Sequence, residues 1–301
     1  MTKRLPLLVS SLLITVGGAF GCGDSGSGGS GGGGNGNGGA GEGGQGGDGG
    51  GASGTYQAIP DTHCSPQNLL GRINLGGFPD APYLQGDLWD RVNPTIGEPE
   101  LENEHCAFHQ AQGLCNGCAA TEVCSHAGEC VVDRRTVKTA TLLLQSGSEE
   151  QTFTADPTIG GLSGEVTIGA ADALFSATLA WDEMTIEAPA MKIAGVLENP
   201  AITLEGDSSM PGALDASWSG ATEGHVFSTI PINHHAAGAT FTHCAVPASE
   251  GGFHADAEMI DPLAVVTGLE FQGFTYAQVA AAETPLGCVE FQYGGFAFAT
   301  F

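Results

Sequence analysis

Beyond Arg135 apolar and polar residues alternate, and this period of two limits what the chain can fold into more than any other feature does. In residues 173–182, Phe175, Ala177, Leu179 and Trp181 fall on one side, with Ser176, Thr178 and Asp182 on the other. Successive strand side chains point to opposite faces, so such a segment buries one face. Leu214, Ala216 and Trp218 repeat the pattern, and Val226, Ser228, Ile230 and Ile232 follow it less cleanly. Further strands are expected at 136–145, 165–169, 201–205, 239–246, 269–276 and 288–293. Glycines, prolines and acidic turns separate them at short spacing, which predicts an antiparallel β-sandwich or barrel. The one helix expected is short, around 276–282.

The preceding stretch, 55–134, reads differently. It has few long apolar runs, and Gly76-Gly77, Pro79 and Pro82 are expected to mark turns. It also holds six cysteines: Cys64, Cys106, Cys115, Cys118, Cys124 and Cys130. A segment this poor in core residues needs covalent staples, and three disulfides would close it, with pairing open. Cys244 and Cys288 sit on two expected strands and are expected to pair with each other. The spacing from Cys106 to Cys130 resembles the small EGF-like or knottin-like modules of exported proteins. Zinc is the competing reading for Cys115-x2-Cys118, with His105, His109 and His126 nearby. In an exported chain, disulfides are the expected outcome. His105 and His109 are then surface residues of a short helical turn.

The first 54 residues give an address. Lys3-Arg4 precede an apolar run, residues 5–20, too short for a membrane span of about 20 residues and suited to a signal peptide. Residues 19–22, Ala-Phe-Gly-Cys, resemble a bacterial lipobox, which implies diacylglyceryl and palmitate-type N-acylation at Cys22. Residues 1–22 are therefore expected to be a lipoprotein signal ending in its acylated cysteine. Residues 23–54 follow, 20 of 32 of them glycine, unable to bury apolar surface. As a flexible coil they span roughly 30 Å. Gly23 in place of Asp after the cysteine points, by resemblance to enteric sorting, to the outer membrane of a Gram-negative cell. The expected organisation is signal (1–22), glycine-rich tether (23–54), cysteine-rich module (55–134) and β-sandwich (135–301).

After Cys22 the chain has six basic and 34 acidic residues, a formal charge of −28. That balance excludes nucleic-acid binding, which needs lysine and arginine to displace counterions. It keeps the chain soluble by self-repulsion. No nucleophile elbow, phosphate loop or metal-hydrolase motif occurs, so no enzyme, catalytic residue or cofactor is expected. Gly23-Asp24-Ser25-Gly26 matches a serine-protease segment only by composition.

Two clusters are candidate cation sites. His225, His234, His235, His243 and His254 are five of nine histidines within 30 residues, near Asp256, Glu258 and Asp261. Glu98, Glu100, Glu102 and Glu104 alternate and would share one face of an extended segment, where a cation could relieve their repulsion. Residues 241–261 resemble a segment of bacterial surface proteins with Ig-like sandwiches, which implies an Ig-like fold. Residues 293–301 resemble the closing strand of outer-membrane barrels, but the upstream strands lack an aromatic girdle. Phe296, Phe298 and Phe301 are therefore expected in the core. The expected role is a structural or interaction module at the cell envelope, its partner the bilayer through Cys22 and an unidentified protein or glycan. The alternative is a carbohydrate-, ligand- or metal-binding sandwich using Trp89, Tyr83 or the histidines, with a secreted hydrolase behind it.

Overall fold

Alternating segments become strands only where neighbours cover their apolar faces, and here three sheets cover one another. The computed structural model describes residues 53–78, 81–110, 115, 117–170, 172–207, 210–231, 240–263 and 271–300. Cys22, residues 23–52 of the glycine tract, His234, His235, Pro79, Ile232 and Phe301 lie outside the described residues. Among the described residues no helix is long and apolar enough to cross a membrane.

The largest layer is a ten-stranded sheet. Its centre is a long antiparallel hairpin, Phe271–Thr284 and Gly287–Thr300. On one side Gly287–Thr300 pairs in parallel with Leu69–Phe78, which pairs in turn with Ala81–Leu88. On the other, Phe271–Thr284 leads through His225–Pro231 and Phe241–Pro247 to Cys106–His109. A five-stranded sheet covers one half of the inner face. Leu142, Leu144, Phe175, Leu179 and Trp181 meet Ile73, Leu84, Phe291 and Tyr293 there. A three-stranded sheet covers the other half, with Leu214, Trp218 and Phe253 against Val226, Val246 and Phe274. The protein is thus mainly β, an antiparallel sandwich whose larger layer serves two cores, with a small disulfide-rich element at residues 115–132.

The strongest alternations keep their expected faces. Phe175, Ala177, Leu179 and Trp181 are all buried, as are Leu214, Ala216 and Trp218. Four local expectations are corrected. Residues 276–282 are strand, not helix. Val279, Ala280, Ala281 and Ala282 are buried on both faces, so pairing and burial override alanine's helical preference. Gly76 and Pro82 lie inside strands and not in turns. Phe296 and Phe298 are 73% and 60% exposed, because Ala297 and Ala299 take the inward positions of the last strand. The boundary at residue 135 is not structural: Gly49–Phe301 is one compact unit, since Leu69–Phe78 runs beside the last strand of the chain.

The cysteines explain that unity. Cys64 bonds Cys288 and Cys106 bonds Cys244, so Cys244 and Cys288 do not pair with each other. Only Cys115–Cys124 and Cys118–Cys130 stay local, closing a hairpin of Glu122–Cys124 with Cys130–Val132. All eight cysteines expected in disulfides are so paired. The pairing differs from the expectation because Cys106 and Cys244 face each other in the register of adjacent strands.

Gly76 and Gly294 are register partners in the parallel pair. A Cβ on Gly76 would lie 1.6 Å from the carbonyl oxygen of Gly294, and one on Gly294 would lie 1.9 Å from that of Tyr276. Gly76→Ala is expected to cost about 3 kcal/mol, since the obstacle is backbone on a central strand. Gly295→Ala, whose Cβ would meet nothing within 4 Å, is the control. Urea unfolding measures both, and equal stability of the two variants would refute the close approach.

Candidate ligand-binding face

Among the described residues no second sheet covers the outer face of the long sheet, and strand register arranges its side chains in rows. Tyr83, Gly76 and Gly294 form one row, and Gln85, Asn74 and Gln292 the next. Phe296 and Thr275 follow in a third. These eight residues line a groove of about 160 Å3. The glycine pair makes its floor, with no side chain standing there. Tyr83, 46% exposed, and the more exposed Phe296 rise on either side. Two strands and one row separate them, about 12 Å at standard strand spacings. No residue of the lining carries a charge, although the chain as a whole is strongly acidic.

A strap crosses the same face beside the groove. Residues 61–65 run over Phe271–Thr284 and Gly287–Thr300, pinned by the Cys64–Cys288 bond and by the Asp61 N–H donating to the Val279 carbonyl at 2.9 Å. Under it lies Glu290, fully buried. It accepts from Arg72 Nε at 2.8 Å, from the Cys64 N–H at 2.8 Å and from Gln292 Nε2 at 2.7 Å. A buried carboxylate is tolerated when a partner charge and further donors satisfy it, as here. Further along, His63 packs on His225 and Phe227, with centroids 5.7 and 5.9 Å away, and Phe227 on His243 at 6.3 Å.

Of the histidines expected to cluster at 225–254, the described ones, His225, His243 and His254, do not converge. His225 and His243 share the outer face of the long sheet, whereas His254 sits on the three-stranded sheet, bound to Asp215 at 2.8 Å. Asp256 comes within 3.6 Å of His254. Glu258 and Asp261 belong to the short helical turns Ala257–Ile260 and Asp261–Leu263. In place of the missing members the fold brings in His63, His105 and His109. His109 is not on a helical turn but on the strand Cys106–His109, 2% exposed, and His105 is bound to Glu250 at 2.8 Å.

Desolvation lowers the pKa of His225 and His109. His243 keeps an edge toward solvent, yet burial, reinforced by Arg72, His63 and His109, pulls it down to about 3. His254 moves upward instead through its hydrogen bond to Asp215.

Among the described residues, no three histidines and carboxylates bring ligand atoms within 4.8 Å of one another. The sulfurs of Cys115, Cys118 and Cys130 do, but all three are consumed in disulfides. Glu98, Glu100, Glu102 and Glu104 are exposed and alternate with half-buried Pro99, Leu101 and Asn103, sharing one side as expected. They too bring no three carboxylates together. Of the aromatic candidates, Trp89 is half-buried and capped by the Arg134 guanidinium 3.8 Å above its ring, while Tyr83 stands open. Phe296, Asn74, Gln85 and Gln292 carry no motif. Only strand register brings them together.

No protein-family model matches the chain, and no curated protein matches it. Among solved structures, the FN1–FN3 domains of chicken CNTN1 are similar at 8% identity, covering 69% of this chain and 72% of that one, with a TM-score of 0.18. Domains A168–A170 of titin are similar at 9% identity, covering 72% and 74%, with a TM-score of 0.17. Scores this low carry no inference about function.

Proposed function

We propose that this protein is an exported, envelope-tethered binding module whose open sheet face takes a neutral glycan. The observation that carries the reading is the uncharged groove walled by Tyr83 and Phe296 and bedded with Asn74, Gln85 and Gln292. Aromatic faces stack on the C–H faces of sugar rings, and side-chain amides both donate to and accept from hydroxyls. A strongly acidic surface around an uncharged groove disfavours anionic ligands and leaves a neutral polyol the best match. The groove lining contains no carboxylate and no histidine, in keeping with binding and not hydrolysis.

A glycan array probed with the full chain, followed by calorimetry on the best ligand, tests the reading. Tyr83→Ala and Phe296→Ala are each expected to weaken binding about tenfold, about 1.4 kcal/mol. Absence of any retained glycan, or affinity unchanged in both variants, would overturn it. The tether rests on the lipobox-like sequence before Cys22. Cys22→Ala is expected to move the protein from the membrane to the soluble fraction, because stable attachment needs the acyl chains. A variant that still sediments with membranes would remove the lipid anchor and leave the groove untouched.

A further inference from the structure

A second depression on the same face, about 190 Å3, shares no residue with the groove and has the opposite chemistry. It lies between the strap with the short turn that follows it, through His63 and Gln67, and the segment carrying Glu102, Glu104 and His109. No lysine or arginine lines it.

Two of its residues hold acceptors that lack a donor. His109 places Nδ1 3.0 Å from the Gly97 carbonyl. A carbonyl only accepts, so Nδ1 carries the proton and Nε2 presents a bare lone pair. That Nε2 is buried and has no partner. The ring cannot readily turn away, because it stacks on Phe241 with centroids 4.9 Å apart. The second acceptor is Gln67 Oε1, likewise buried without a partner. The Gln67 amide is oriented by its Nε2, which donates to Glu98 at 2.9 Å. Leaving a buried acceptor unmet costs about 1–3 kcal/mol, and two residues of this lining carry one each, beside the exposed carboxylates of Glu102 and Glu104.

We propose that this cleft binds a donor-rich organic cation, an alkyl-guanidinium or alkyl-ammonium group, whose N–H groups meet His109 Nε2 and Gln67 Oε1 while Glu102 and Glu104 balance its charge. Guanidinium offers five donors and ammonium three, against acceptors alone on the protein side. A bare divalent ion fits less well. It needs ligand atoms a few ångströms apart, and no three histidine or carboxylate ligands among the described residues come that close. Desolvation keeps the His109 and His243 rings neutral, so neither repels the cation. The net charge of the chain steers cations toward it.

The test is NMR of the histidine Cε1–H signals of the full chain, titrated with methylguanidinium and methylammonium. Urea serves as the neutral, donor-rich control, and a blocked arginine amide distinguishes a peptide side chain from a free amine. The expected result is a saturable shift with at least one cation and none with urea. Glu102→Gln/Glu104→Gln, at two exposed positions that leave the fold intact, is expected to weaken it at least fivefold. No saturable shift with either cation, an equal response to urea, or unchanged affinity in the double variant would each overturn the proposal. Because the groove residues are untouched, glycan binding by the same variant reports separately on the proposed function.

Discussion

Breaking the Cys64–Cys288 bond is expected to lower stability by about 3–5 kcal/mol, whereas breaking Cys118–Cys130 lowers it by at most about 3 kcal/mol. The first bond closes a separation of 224 residues and the second one of 12. Constraint of the unfolded chain grows with the logarithm of the loop, and the chain-entropy estimate for the longer one is about 5 kcal/mol. Location widens the difference. Cys64 and Cys288 are 2% and 1% exposed and hold the strap over Glu290, whose carboxylate accepts the Cys64 N–H. With the strap free, water reaches a buried ion pair and the underside of Ala281. Cys118–Cys130 braces a small two-stranded hairpin whose opening leaves both cores intact. Thermal melts of Cys64→Ala/Cys288→Ala and Cys118→Ala/Cys130→Ala measure the contrast, with a drop of roughly 10 °C expected for the first at this chain length. Cys64→Ala alone should cost nearly as much as the pair, because either substitution removes the same bond. Equal losses in the two pairs would show that the strap carries no global stability.

These pairings show where reading the sequence stops. Period-two alternation makes the strands visible, because one buried face writes itself into Phe175, Ala177, Leu179 and Trp181 without reference to any other segment. Strands covered on both faces lose that signature. The alanines at 280–282 then look helical, though a core lies on one side of them and the strap on the other. Glycine in a strand likewise resembles a turn until its partner is known. Gly76 is explained only by Gly294, more than two hundred residues away. The candidate groove is still less visible. Tyr83, Asn74 and Phe296 meet through the register of three strands drawn from both ends of the chain, and one of the two pairings is parallel. His254 leaves the cluster expected at 225–254 for the complementary reason. Proximity in sequence placed His254 with His243, but their strands enter different sheets. Cysteine count implied disulfides correctly, while cysteine spacing could not say that two of them would join the N-terminal stretch to the C-terminal one.

Acidification is expected to destabilise the fold through His243, most steeply between pH 6.5 and 4. Its pKa is lowered in the folded chain to about 3, while the unfolded chain titrates near 6.5. Above about pH 6.5 both states are neutral at this site and its contribution is fully present. As the pH falls below that value the unfolded chain takes up a proton that the folded site refuses, so stability drops until the folded pKa is reached. For such a shift the linkage amounts to about 3 kcal/mol between pH 7 and pH 4, and about 2 kcal/mol after allowance for the solvent-facing edge of the ring. His225 and His109, lowered by desolvation, act in the same direction. His254, raised by Asp215, acts in the opposite one, but it is exposed and its share is small. The 34 acidic residues also oppose the trend, since their protonation relieves self-repulsion. The wild-type profile alone therefore mixes two signs, and His243→Gln separates them. Glutamine keeps a polar group near Thr229 Oγ1, which lies 3.1 Å from His243 Nδ1, and cannot titrate. In urea unfolding at pH 7 and pH 4, the wild type should lose about 2 kcal/mol more than His243→Gln over that interval. Parallel losses in the two proteins would mean that the ring is already solvated enough to accept its proton in the folded state.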